Sequence, residues 1–192
     1  MTRTAAGGVT TRMFGMAFSV SLAALCAGIA LGYASMSSFS SGGSLVEGAQ
    51  KNSETAFLGS FVAILVRNTG AALLLFSGVI TAGFSTVIAL GLMAAYIGAT
   101  FGAAAGMVGF QEALTSIALY APLEFLGLLL AASAGLLPLV AGAGSALGGA
   151  AHGESPLRSY VDALGPSLKA FGGAVAVILV AAVVESLVIT SR

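Results

Sequence analysis

The sequence predicts an all-α protein, a polytopic transmembrane bundle of about five spans with one short re-entrant or half-helix. Three observations predict it. Charged residues are only 7% of the chain, against roughly a quarter in an ordinary soluble domain. Hydrophobic residues reach 58%, with a mean hydropathy of +1.05. The few charges also gather into short stretches, and the uncharged runs between them approach the ~20 residues that cross a bilayer. Such a surface cannot be solvated, which excludes a soluble enzyme and a disordered chain. Seven basic residues balance seven acidic ones, so there is no basic footprint for nucleic acid. Residues 1–192 read as a single integral membrane domain.

Span one is expected at 13–34, an apolar run preceded by Arg3 and Arg12. The run exceeds the ~7–15 residues of a signal-peptide core, so it reads as a retained anchor. Cys26 within it reads as a small buried apolar residue. Ser35 to Thr55, with a Ser/Gly cluster and Glu47, Lys51 and Glu54, reads as an exposed loop. From Ala56 to Gln111 the only charge is Arg67. These residues accommodate spans at 56–81 and 84–106, with the break near Ala82-Gly83. An alternative makes Ala56–Val66 a re-entrant or interfacial helix, since the first version holds Arg67 at membrane depth.

Met107 to Glu112 reads as a loop and 113–136 as span four, containing Pro122 and Glu124. Pro138–Ala151 is short and Gly-rich, the pattern of a half-helix; promoting it to a span gives six crossings. Ala151 to Pro166, with His152, Glu154, Arg158 and Asp162, reads as an aqueous loop, and His152 as a solvated residue within it. Span five is expected at 170–189, with Glu185 near its far end. With the N-terminus in the cytoplasm, Arg3, Arg12, Arg158 and Lys169 lie inside and Lys51 and Arg192 outside. That asymmetry follows the positive-inside rule.

Helices in lipid gain little from apolar burial against one another, so small residues set their close packing. Gly98, Gly102 and Gly106 form a small-xxx-small ridge, and Gly28 and Gly32 do the same on span one. The ridge serves either packing within one bundle or a homodimer seam.

Arg67, Glu124 and Glu185 fall within apolar stretches, with Asn68 beside the first. A charge near a bilayer centre costs about 2.5–3.5 kcal/mol on insertion scales, so such groups find partners or water. Glu124 reads as far from both ends of its span. The simplest account pairs Arg67 with Glu124 and lets Asn68 cap or bridge the pair. The alternatives are a titrating carboxylate in a transport path and a catalytic carboxylate. Two glutamates can share acid and base work on a peptide bond if one cavity holds both, which makes Glu124 and Glu185 the candidate catalytic residues. No nucleophile triad, phosphate loop or Cys/His metal spacing is present, and no cofactor or metal is expected.

Five segments resemble the stage II sporulation protein M family of integral membrane proteins. They are FVAILVRN ending in Asn68, GAALLLFSGVITAG from Gly70, ALGLMAAYIG from Ala89, APLEFLGLLLAASAG from Ala121 and AAVVESLVIT from Ala181. The resemblance spans about Phe57 to Thr190. Ala and Tyr occupy the region where the family usually carries an Asn-Gly pair. The family's usual Pro-His-Gly before the glutamate is missing, and Tyr120 stands near the expected His. The resemblance implies Asn68, Glu124 and Glu185 as the shared polar positions, and with Arg67 and Tyr120 they make the candidate buried polar, ligand- or partner-binding set. It implies a multi-pass protein of the bacterial cytoplasmic membrane. Its partners would be the lipid bilayer, a hydrophobic peptide and other membrane proteins. Two settings follow: maturation, export or immunity in a circular-bacteriocin-type peptide pathway, or an envelope-remodelling scaffold for peptidoglycan hydrolases during sporulation. An intramembrane glutamate-dependent peptide-processing enzyme is a further alternative.

Overall fold

In the computed structural model the described residues are 3–37, 53–147 and 155–191. The Ser/Gly-rich stretch 38–52, with Glu47 and Lys51, lies outside them, as do His152 and Glu154. The helices in chain order are α1 (Arg3–Ser37), α2 (Ser53–Phe76), α3 (Phe84–Val108), α4 (Phe110–Ile117), α5 (Ala121–Leu147), α6 (Pro156–Asp162) and α7 (Leu164–Ser191). A 3-10 turn, Ser77–Val79, extends α2. Five segments are long and apolar enough to cross a membrane: Thr11–Met36, Phe57–Val79, Phe84–Val108, Ala121–Leu147 and Pro156–Ser191.

The central helix is α5, in which every residue from Ala131 to Pro138 is buried. Around it the helices interlock through small residues. Ala17, Ser21, Leu25 and Gly32 make the buried stripe of α1, and Ala94, Gly98 and Gly102 the facing stripe of α3. A Cβ on Gly32 would strike the Ala95 carbonyl, and one on Gly98 the Ile29 carbonyl. These glycines therefore let two backbones touch within one chain. Gly102 also faces α1, at Tyr33 and Met36, while Gly106 is exposed. On the other side of α5, Gly127 receives Ile178 of α7. Phe76 of α2 stacks on Phe171 of α7 at 4.2 Å.

The reversal between α2 and α3 falls where the sequence places it. Ala82 has φ 49° and Gly83 φ 84°, and the Gly83 N–H donates to the Gly78 carbonyl at 2.7 Å. The left-handed region is open to glycine without steric penalty, which explains a break at this pair. The turn is held by Thr86, whose buried hydroxyl donates to the Leu75 carbonyl at 2.5 Å, and by Tyr160, whose hydroxyl donates to the Val79 carbonyl at 2.5 Å.

Five expectations are corrected. First, α2 is one continuous helix through Arg67, so Ala56–Val66 is not a separate re-entrant piece. Second, Gly109, at φ 93° and ψ 148°, stops α3 and starts the short helix α4 inside what reads as loop and span. That backbone region is essentially reserved for glycine. The fourth crossing therefore begins at Ala121, not residue 113. Third, Pro138 does not begin a half-helix, because α5 runs unbroken through it to Leu147. A proline inside a helix leaves the carbonyl four residues earlier without its N–H partner. Here that carbonyl belongs to Ala134, and the buried Ser167 hydroxyl of α7 donates to it at 2.5 Å. A neighbouring helix supplies the bond that proline removes, as membrane bundles allow. Fourth, Cys26 is exposed on the outer face of α1. Fifth, the expected aqueous loop before span five is largely helical. Ser155 caps α6 by accepting from the Arg158 N–H at 3.2 Å, and α7 begins at Leu164.

Candidate functional site

A cleft of about 460 Å³ opens between α2, α3, α4, α5 and α7. Its walls are mostly apolar, from Ala71, Met93, Ile97, Phe101, Phe125 and Leu128. Its polar lining includes Arg67, Asn68, Tyr120, Glu124 and Glu185, so the structure gathers the sequence-derived polar set in one place.

Asn68 is 7% exposed at mid-length of α2. Its side-chain amide donates to Glu124 Oε1 at 2.5 Å. Glu124 lies in the first turn of α5, not in the interior of a span. Its backbone N–H donates to the Tyr120 carbonyl at 3.1 Å, which starts the helix. A carboxylate there is favoured by the positive end of the helix dipole. Pro122 likewise sits in the opening turn, where no N–H is needed.

The expected Arg67–Glu124 ion pair is not formed. Arg67 is exposed, and among the described residues the ion pair present is Arg158–Asp162 on the surface of α6. The reason is angular. Successive residues on an α-helix are turned by about 100° from each other, so a helix that aims Asn68 at α5 turns Arg67 aside. Arg67 still lines the cleft that Glu185 enters.

Glu185 enters from α7. It is 7% exposed and lines the same cleft as Glu124. No donor among the described residues reaches its buried Oε2. Glu185 is therefore part of the bundle interior, not a residue reaching the interface from a helix end. The two glutamates are 61 residues apart in sequence and meet because α5 and α7 run antiparallel through the Gly127–Ile178 and Ala134–Ser167 contacts.

Sequence reasoning did not find the apolar walls. Met93, Ile97, Phe101 and Phe125 read as ordinary lipid-facing or core residues, and no signal in the chain marks them as lining a cleft. Among the described residues no group of three or more His, Cys, Asp or Glu side chains is placed to hold a metal.

The family profile of Stage II sporulation protein M matches residues 21–189. The match takes in Asn68, Glu124 and Glu185 and begins in α1, well before the Phe57 at which the sequence resemblance starts. No curated protein and no solved structure matches the chain.

Proposed function

The chain belongs to the Stage II sporulation protein M family, and on that premise we propose that it is a membrane component whose cleft binds a hydrophobic peptide or the helix of a partner membrane protein. One observation carries this reading. The cleft is walled by apolar side chains but holds a fixed polar group, Asn68–Glu124–Glu185, at its side. Ligand sites combine these features, apolar area for affinity and a few placed polar groups for orientation. We assign it to a bacterial peptide pathway of the circular-bacteriocin type, in maturation, export or immunity. It would sit in the cytoplasmic membrane with its N-terminus in the cytoplasm.

Site-specific photocrosslinking in native membranes tests this. A benzoylphenylalanine at Met93, which lines the cleft, is expected to capture an apolar peptide of a few kilodaltons. The same probe at Leu92, 69% exposed on the outer face, is expected to capture none. Capture of a large envelope protein from Met93 would instead favour the sporulation-scaffold role.

A second reading has a specific observation behind it: Glu124 and Glu185 share one cleft, the arrangement acid–base work on a peptide bond requires. Peptide turnover that is lost in both Glu124→Gln and Glu185→Gln, while crosslinking from Met93 persists, would favour the processing enzyme.

A further inference from the structure

Glu185 makes a demand that the bundle itself does not meet. Its side chain is almost wholly buried and lines the cleft, yet no donor among the described residues reaches Oε2. A buried polar atom without a partner is rare in a folded protein and calls for a specific account. Glu124, the second carboxyl group, receives one donor, the Asn68 amide. The charged and titratable groups around the pair are Arg67 from α2, Tyr96 from α3 and Tyr120 before α5. Arg67 and Tyr96 are exposed, and Arg67 makes no ion pair among the described residues. The site thus sets an unserved carboxyl oxygen beside apolar and aromatic walls.

Resting on the peptide-binding reading above, we infer that Glu185 and Glu124 receive a primary ammonium group carried by an apolar peptide. An ammonium brings three donors and no acceptor, the complement of two carboxyl groups of which one has an unserved oxygen. Charge-assisted bonds of this kind are the strong ones. The rings of Phe101 and Phe125 line the same cleft, and aromatic faces attract cations. A divalent metal fits less well, since it requires about six oxygen ligands and the site supplies two carboxylates and one amide oxygen. A carboxylate ligand brings acceptors alone and leaves Oε2 without a donor. The apolar walls then hold the side chains that follow the ammonium.

The test uses the full chain in phosphatidylcholine nanodiscs and two probes, tri-leucine amide with a free N-terminus and its N-acetylated form. Calorimetry is expected to show at least tenfold tighter binding of the free amine to the wild-type protein. Glu185→Gln, checked for folding by its thermal melt, is expected to bring the two affinities within twofold. Equal affinity of both probes for the wild type overturns the ammonium assignment and leaves the cleft an apolar peptide site. Absence of binding by either probe overturns the peptide reading together with it. A folded Glu185→Gln protein that keeps the tenfold preference also overturns the assignment. Addition of phosphatidylethanolamine to the discs separates the sources of ammonium. Unchanged peptide affinity supports the peptide, and competitive loss of it makes the lipid headgroup the occupant and overturns the peptide assignment.

Discussion

The Asn68 amide and the Glu124 carboxylate, 56 residues apart in the chain, meet at 2.5 Å. The contact ties the middle of α2 to the first turn of α5. It also determines which way Glu124 points, and through it the position of the carboxyl group that faces Glu185.

Removal of the amide should therefore destabilise the bundle. Asn68→Ala is expected to cost about 1–3 kcal/mol, the range for stranding a partly buried acceptor. Arg67→Met is expected to stay within about 0.5 kcal/mol, because Arg67 is exposed and makes no ion pair among the described residues. Thermal melts of single and double variants with Glu124→Gln check both. Coupling is expected between positions 68 and 124, and additivity between 67 and 124. Strong coupling at 67 would restore the ion-pair account.

Ser167 and Pro138 should behave as a compensating pair. Ser167→Ala leaves the Ala134 carbonyl without a donor inside the bundle, with an expected loss of about 1–3 kcal/mol. Pro138→Ala gives residue 138 an N–H that can serve the same carbonyl through the ordinary helical bond. The double variant Ser167→Ala/Pro138→Ala should then melt well above Ser167→Ala alone. If the two changes add without recovery, the hydroxyl is not substituting for the missing backbone bond.

The α1–α3 crossing depends on bare backbone at Gly32 and Gly98. A Cβ at Gly98 would meet the Ile29 carbonyl, which cannot swing away as a side chain can. Gly98→Ala is expected to cost about 1–3 kcal/mol, as overpacking does. Gly172→Ala, with no heavy atom near the added carbon, should be neutral or gain up to about 1 kcal/mol from the lower entropy of the alanine chain. Unfolding in a mild detergent series compares them.

Orientation is open to direct labelling. In a Cys26→Ala background, Thr4→Cys is expected to react only with reagent reaching the cytoplasmic face and Ser191→Cys only from outside. Five crossings put the termini on opposite sides, and the basic residues favour the inner face for the N-terminus. Reaction of both from one side would mean an even number of crossings.

The sequence by itself determined the class and most of the scaffold of this protein. Uncharged runs near the bilayer width mark five crossings, because a bilayer imposes one length on every spanning helix. Gly83 announces its turn because few other residues take that backbone conformation. The polar set Asn68, Glu124 and Glu185 was visible because polar groups at membrane depth are costly and so stand out. What only the tertiary structure decided were the pairings. Composition could not show that α5 continues past Pro138, since the answer lies in a hydroxyl on α7. It could not choose between Arg67 and Asn68 as the partner of Glu124, since that depends on how α2 is rotated against α5. Nor could it show that Glu185 stands beside Glu124, because two residues far apart in the chain meet only through the register of two antiparallel helices. Lipid offers little apolar gain between helices, so that register is set by glycine contacts and single hydrogen bonds, which no local pattern in the chain records.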